Sequence, residues 1–169
     1  MKILKKYISK KNNVFLVIDE DNKKLIYKKY SSEDNLKKEI ICLESLKKIK
    51  VNVPKIIKKE KNAVFLEYIE GLNLSDFIDR IVDYNYIEMG NLIDMLCEHL
   101  ISLYNTNYFQ QNNYILCDVN LRNFIINKKN IYSIDFENVK KGDLEEDIVG
   151  IIIFILTNDP SFTEWKIKL

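Results

Sequence analysis

Three polar side chains close together in the sequence could support metal-dependent chemistry. Asp118 and Asn123 lie five residues apart in a stretch typical of a loop, and Asp135 directly follows a short apolar run. The runs Phe124–Asn127 and Ile131–Ile134 predict two short strands joined by a turn. Because the strands of a hairpin enter and leave at the same end, we expect Asn123 and Asp135 to lie close together, with Asp118 nearby.

A cluster of carboxylates and an amide suits a hard divalent cation. Mg²⁺ prefers oxygen ligands and usually shares its coordination between one or two protein carboxylates, phosphate groups and water. Asp118 could then orient a hydroxyl nucleophile. The alternative is that these Asp and Asn residues only form turns and helix caps. A hairpin followed by a second aspartate is a more specific pattern than Asp and Asn at this spacing alone.

The order D-x-x-x-x-N, hairpin, D-F resembles the core of the protein-kinase-like superfamily, which includes protein kinases, RIO-type kinases, and aminoglycoside and choline phosphotransferases. The resemblance implies ATP as a cofactor, Asp118 as the catalytic residue, and Asn123 and Asp135 as ligands of Mg²⁺. Leu116 stands where the family usually has His, and Glu137 where protein kinases have Gly. Ile-Asp-Phe-Glu is more similar to the small-molecule phosphotransferases.

Two β-type runs near the N-terminus predict a hairpin with a polar turn. They are Val14–Ile18 and Lys24–Tyr30. The second run resembles the strand that carries the phosphate-binding lysine of the family, so Lys28 or Lys29 is the candidate. Side chains alternate along a strand, and Lys28 shares a face with Ile26, a plausible wall for adenine. We therefore favour Lys28; the alternative is that both lysines face solvent on an edge strand.

A helix is predicted from the Ser31-Ser32-Glu33-Asp34 start to about Lys48. Its apolar residues form one stripe at helical spacing: Leu36, Ile40, Leu43 and Leu46. Glu39 projects from within this stripe, where a carboxylate is costly unless it is paired. The family pairs a helix glutamate with the strand lysine, so we expect an ion pair between Glu39 and Lys28. The alternative is a glutamate that reaches past its neighbours to water.

The segment before the first predicted strand, Ile8–Asn13, contains no glycine. A glycine-rich loop over the phosphates is therefore not indicated, which favours the aminoglycoside-kinase and RIO side of the superfamily. Ile56-Ile57 and Ala63–Tyr68 predict two more strands. The second runs into a segment that resembles the kinase hinge, with Leu66 as gatekeeper and the Glu67 carbonyl and Ile69 amide facing adenine.

The rest of the chain predicts a helical C-terminal part. Apolar spacing indicates one or two helices over Ser75 to about Tyr104, which include Ile81 and the single histidine, His99, interpreted as structural. A further apolar helix, Ile148–Leu156, should end at Asn158-Asp159-Pro160. In the family a helix aspartate binds the backbone of the catalytic loop, and Asp147 is the best match.

Composition limits the class of function. With 26 Lys and Arg against 25 Asp and Glu, the net charge of +1 provides no general attraction for nucleic acid. The Lys-rich stretches are interpreted as solvated faces. Three widely spaced cysteines suit a reducing compartment, and the longest apolar run is shorter than the roughly 20 residues that a membrane span needs. A cytoplasmic protein is expected, of unknown oligomeric state.

The sequence as a whole predicts an α+β protein with a minimal bilobal kinase-like fold. One domain is expected over residues 1–169, with an N-terminal lobe to about residue 68 and a reduced, mostly helical C-terminal lobe after it. The predicted function is transfer of the γ-phosphate of Mg-ATP to a hydroxyl group of a small molecule or of a protein Ser or Thr. The alternative is a nucleotide-binding pseudokinase that acts as a scaffold.

Overall fold

The computed structural model describes residues 1–80, 86–158 and 161–167. Within that part of the chain, the N-terminal sheet has five antiparallel strands in the order β1-β2-β3-β5-β4. The strands are β1 Lys2–Tyr7, β2 Asn13–Ile18, β3 Lys24–Lys29, β4 Ile56–Lys59 and β5 Ala63–Glu67. The predicted hairpin of β2 and β3 is present, and the Asp19 carboxylate caps its turn by accepting from the N–H groups of Asp21 and Lys23.

Helix α1, Glu33–Lys47, crosses from β3 to β4 and packs against the sheet. Its N-cap is Ser32, whose hydroxyl accepts a hydrogen bond from the N–H of Asn35 at 3.4 Å, as the sequence predicts. The face that α1 buries carries one acid among apolar side chains: Leu36, Glu39, Cys42, Leu43 and Leu46. The helix therefore holds Glu39 against the sheet.

The C-terminal part is built from helices around two small sheets. The helices are α2 Leu74–Arg80, α3 Tyr86–Tyr104, α4 Asn107–Gln110, α5 Leu144–Thr157 and α6 Glu164–Ile167. The predicted helical stretch is thus two helices, α2 and α3. The expected helical position Ile81 lies outside the described residues. Helix α5 ends at Thr157 with Asn158 as its C-cap, where the sequence predicts the helix end; Asp159 and Pro160 lie outside the described residues.

The predicted central hairpin is present. It consists of β8 Phe124–Asn127 and β9 Asn130–Ser133, and β6 Leu72–Asn73 adds a third strand next to β8. At Gly71 a Cβ atom would lie 2.2 Å from the carbonyl oxygen of Ile126, so only glycine fits this approach of β6 to β8. A second sheet pairs β7 Tyr114–Ile115 with β10 Lys140–Lys141.

One main core joins the sheet, α1 and the C-terminal helices. Its fully buried side chains come from every layer and include Leu46, Leu74, Leu103, Phe109, Phe124 and Phe136. A smaller cluster of Val17, Leu25 and Phe65 lies on the other face of the N-terminal sheet. The main core fixes the N-terminal sheet, α1 and the central hairpin relative to each other, and the residues of the candidate site lie on β3, on α1 and in the segments that flank the hairpin. In the described part of the chain no helix combines the length and apolarity needed to span a membrane.

Candidate active site

A buried ion pair lies between the N-terminal sheet and α1. The Nζ atom of Lys28 on β3 is 2.6 Å from Oε2 of Glu39, and both side chains are almost fully buried. The predicted pair is therefore present, and the neighbouring Lys29 is exposed. Tyr30, two residues further on the same face, donates its hydroxyl hydrogen to Glu39 and places its ring 4.9 Å from the Lys28 ammonium. Such a cation–π contact adds to the pairing.

The charge states of this pair follow from burial and neighbours. Burial lowers the pKa of Lys28, but the carboxylates of Glu39 and Asp135 together outweigh it and raise this pKa above its ordinary value. Burial raises the pKa of Glu39, and Lys28 opposes that shift. Burial, followed by the Glu39 carboxylate, also raises the pKa of Tyr30. Lys28 thus stays a cation and Tyr30 stays a hydrogen-bond donor at neutral pH.

Lys28 also contacts two carboxylates from the C-terminal part. Its Nζ atom is 2.8 Å from Oδ1 of Asp135 and 3.5 Å from Oε2 of Glu137. An ammonium group has three N–H donors; two of them donate to Glu39 and Asp135, and Glu137 lies at ion-pair distance. With every group ionised, three carboxylates and one ammonium carry a formal charge of −2. The site therefore repels a bare phosphate and favours a divalent cation.

The donor set fits Mg²⁺. Ligand oxygens of Glu39, Asp135 and Glu137 lie within 4.8 Å of one another, and oxygen ligands are those that Mg²⁺ prefers. The Lys28 ammonium already lies against these oxygens, and the Glu39 side chain is 2% exposed whereas that of Asp135 is 34% exposed. Asp135 is therefore the carboxylate that could turn from Lys28 to a metal ion.

The base of the central hairpin brings Asn123 next to the segment of Asp135. The N–H of Ile134 donates to the carbonyl of Asn123 at 2.9 Å, and the side-chain NH₂ of Asn123 donates to the carbonyl of Asp118 at 3.0 Å. Its side-chain oxygen is the atom that could bind a cation. Asp135 has a φ of 67°, in the left-handed region, and such strain is concentrated at functional sites.

Asp118 lies on a loop that Asp147 anchors. The Asp147 carboxylate, buried at the start of α5, accepts from the N–H groups of Leu116 at 2.6 Å and Cys117 at 2.9 Å. It also accepts from the hydroxyl of Tyr104. These bonds hold Cys117 at a φ of 66°, directly before Asp118. The predicted contact of Asp147 with this loop is therefore present.

Four site contacts were missed at the sequence level, one of them the bond of Tyr30 to Glu39. The amide of Asn12 donates to Glu137, and Asn138 donates to Oδ2 of Asp118 at 3.4 Å while accepting from Lys11 at 2.9 Å. Glu137 was noted only as a departure from the protein-kinase pattern. Tyr30 had a usable signal, because it shares a strand face with Lys28. Asn12 gave none, since its partner lies 125 residues away.

The predicted hinge residues lie at the end of β5 and directly after it. Leu66 on β5 is paired in register with Ile26 on β3, and both contribute to the main core. Glu67 ends β5, where its N–H donates to the carbonyl of Lys55 at 2.8 Å. Ile69 follows and is buried. Leu66 and Glu67 thus lie on the strand next to β3, which carries Lys28.

His99 lies apart from these residues. Its Nε2 atom is 2.7 Å from the hydroxyl of Ser133 on β9, and burial lowers its pKa to about 4. A neutral, buried imidazole that binds a neighbouring strand is a structural residue, as the sequence indicated.

Comparisons with known proteins identify the fold and the family of the chain. No curated protein matches the chain in sequence. The structure is similar to that of the Rio2 kinase from Chaetomium thermophilum, whose crystal structure is an ADP/Mg²⁺-phosphoaspartate complex, with a TM-score of 0.68 and 13% identity. The match covers 97% of this chain and 58% of that chain. It confirms the predicted α+β, kinase-like fold, and the chain spans little more than half the length of that relative.

The family follows from the sequence itself. The RIO domain model matches residues 2–150, a range that contains the Lys28–Glu39 pair, the Asp118 loop and Asp135. This chain therefore belongs to the RIO domain family.

Proposed function

We propose that the protein is an ATP-dependent kinase that transfers the γ-phosphate of Mg-ATP to a hydroxyl group. The observation that carries this proposal is the contact of the Lys28 ammonium with both Glu39 and Asp135, at 2.6 and 2.8 Å. It joins a buried lysine, held in place by α1, to a partly exposed carboxylate beside the Asp118 loop. Such an arrangement can hold a nucleotide's phosphates and a metal ion next to a group that accepts a proton.

Each residue has a distinct role in this proposal. Lys28 binds the phosphates while Glu39 fixes its position, and Asp135 and Asn123 hold Mg²⁺. The metal ion would neutralise charge on the phosphates. Asp118 orients the acceptor hydroxyl and receives its proton. The crystal structure of the Rio2 kinase with ADP and Mg²⁺ supports ATP and Mg²⁺ as the cofactors here.

The adenine ring is proposed to lie between β3 and the segment after β5. Leu66 would line the back of this site, and the Glu67 carbonyl and Ile69 amide would face the adenine edge. This assignment is supported by the pairing of Leu66 with Ile26 on β3. We also propose that the chain is a single domain with two lobes, of about residues 1–68 and 69–169, and the adenine site would lie between them.

The acceptor is proposed to be a small molecule with a hydroxyl group or a protein Ser or Thr. The phosphoaspartate in the crystallised Rio2 complex makes a carboxylate a further acceptor to examine. The scaffold alternative rests on three departures from the protein-kinase pattern. These are Leu116 in place of His, Glu137 in place of Gly, and the loop before β2 that lacks glycine. The complete set of lysine, glutamate, two aspartates and asparagine favours catalysis over that alternative.

The experiment has two steps. Calorimetry should show weak binding of ATP alone and tighter binding with Mg²⁺, because the carboxylate cluster repels bare phosphate. Labelled ATP is then incubated with the protein and cell extract, and the extract is separated into proteins and metabolites. Label should appear in one fraction. An absence of Mg-ATP binding at millimolar concentration would contradict both the kinase and the scaffold.

A further inference from the structure

The loop between β1 and β2, residues 8–12, is held to the rest of the site by Asn12. This side chain is 7% exposed and uses both ends of its amide. Its oxygen accepts from the N–H of Ser31 at 3.3 Å, and its NH₂ donates to Oε2 of Glu137. The first contact keeps Asn12 next to the start of α1. The second joins the N-terminal sheet to the segment after Asp135.

Glu137 is buried on the other side of this contact. It is 4% exposed, and the oxygen that accepts from Asn12 also lies 3.5 Å from the Lys28 ammonium. A buried carboxylate is stable only when its oxygens are paired, and here one partner is the loop and the other is the proposed phosphate-binding lysine. The position of the loop is thereby coupled to the position of Lys28.

A second contact runs beside the first. The ammonium of Lys11 donates to the side-chain oxygen of Asn138 at 2.9 Å, and the NH₂ of Asn138 donates to Oδ2 of Asp118 at 3.4 Å. Two adjacent residues of the loop therefore bind two adjacent residues that follow Phe136. The loop contacts both the metal-binding segment and, through Asn138, the proposed catalytic aspartate.

We propose that Asn12 and Glu137 are positioning residues for the nucleotide phosphates. Their hydrogen bond fixes the loop of residues 8–12 beside Lys28 before a nucleotide binds. A loop that is already ordered costs no further conformational entropy when the ligand arrives, so affinity increases. A glycine-rich loop approaches phosphates through its flexible backbone, whereas this loop is held by the side-chain contacts of Asn12 with Glu137 and of Lys11 with Asn138. The inference rests on the proposed function, but the contact can be tested without nucleotide.

The first test measures hydrogen exchange of the nucleotide-free protein. Asn12→Asp keeps the size of the side chain and its acceptor for Ser31, but replaces the donor to Glu137 with a second carboxylate. We expect amide exchange in residues 8–13 to become faster by about tenfold or more, the effect of losing a hydrogen bond to a charged group. Asn62→Asp, at an exposed asparagine between β4 and β5, is the matched control and should leave this exchange unchanged.

A double variant makes the test specific. Asn12→Asp combined with Glu137→Gln exchanges donor and acceptor, so the hydrogen bond can form again with the same formal charge on the pair. We expect slow exchange in residues 8–13 to return. Unfolding temperatures of all variants are measured alongside, because a general loss of stability would speed exchange in β2, β3 and α5 as well. Unchanged loop exchange in folded Asn12→Asp, or no recovery in the double variant, would overturn the inference.

The second test measures affinity for Mg-ADP by calorimetry. Asn12→Asp should weaken binding by about tenfold. The double variant restores the hydrogen bond but loses the contact of Glu137 with Lys28, so it should bind more tightly than Asn12→Asp and less tightly than the wild type. Equal affinity in wild type, single and double variants would overturn the positioning role alone. No Mg-ADP binding by the wild type would contradict the proposed function and the positioning role with it. The exchange experiment distinguishes these two failures, because it needs no nucleotide.

Discussion

Asp147 is predicted to stabilise the fold and the Asp118 loop at the same time. It is 2% exposed, and it accepts hydrogen bonds from the N–H groups of Leu116 and Cys117 and from the hydroxyl of Tyr104. The variant Asp147→Asn has nearly the same shape. Its amide has one oxygen and one NH₂ group, so at least one of the two backbone N–H groups must face a donor instead of an acceptor.

The expected cost follows from these contacts. Losing one hydrogen bond to a charged acceptor costs about 1.5–3 kcal/mol, and an N–H left without a partner costs about 1–3 kcal/mol. Together we expect Asp147→Asn to lower the free energy of unfolding by about 3–5 kcal/mol. Tyr104→Phe removes only the hydroxyl and leaves both backbone contacts, so it should cost about 1.5–3 kcal/mol. At this chain length the first change lowers the unfolding temperature by about 6–20 °C.

The assay is urea unfolding at 25 °C, followed by circular dichroism, for wild type, Asp147→Asn and Tyr104→Phe. We expect the rate of phosphate transfer to fall more in Asp147→Asn than in Tyr104→Phe, because Asp118 directly follows the segment that Asp147 holds. Nucleotide affinity should change little. Equal stability of Asp147→Asn and wild type, or a greater loss in Tyr104→Phe, would refute this account of the loop.

Two further predictions concern buried charges. The pKa of His99 is about 4 in the folded protein, against an ordinary histidine pKa of 6.5. As the pH falls, the unfolded chain therefore binds a proton at this position before the folded protein does. The free energy of unfolding should drop by about 3 kcal/mol between pH 6.5 and 4. His99→Leu should remove this contribution in urea unfolding at pH 7, 6 and 5, and an unchanged pH dependence would contradict it. Lys28→Met leaves three carboxylates together without their cation, so it should destabilise the protein by about 3–5 kcal/mol. The matched control, Lys29→Met on the exposed face, should change stability by less than about 0.5 kcal/mol, and similar losses in both variants would contradict the assigned pairing.

The local patterns of the sequence predicted much of the fold. In the central hairpin and the β2–β3 hairpin, short β-type runs are separated by polar turns, and in α1 the apolar residues recur with the spacing of a helix. The position of Glu39 within the apolar stripe of α1 predicted its burial, and the resemblance to kinases supplied Lys28 as its partner. These patterns are short-range, because each residue is placed by the helix or strand to which it belongs.

Other features depend on contacts that local patterns do not contain. Strand β1, with the sequence Lys-Ile-Leu-Lys-Lys-Tyr, was not predicted, because it is exposed along nearly its whole length and shows no alternation. The two-residue strands β7 and β10 exist only because they pair with each other. The contact of Asn12 with Glu137 joins residues 125 positions apart, and an asparagine in a polar loop gives no sign of such a partner.

The most direct test of the kinase proposal compares two aspartates in one set of assays. Mg-ATP affinity and phosphate transfer are measured for wild type, Asp118→Asn and Asp135→Asn. We predict that Asp135→Asn weakens Mg-ATP binding and abolishes transfer, because Asp135 holds the metal. Asp118→Asn should bind Mg-ATP within a few fold of the wild type and lose transfer by about 10² or more, as expected for a missing acid–base group. Equal transfer by wild type and Asp118→Asn on an identified acceptor would contradict the proposed mechanism.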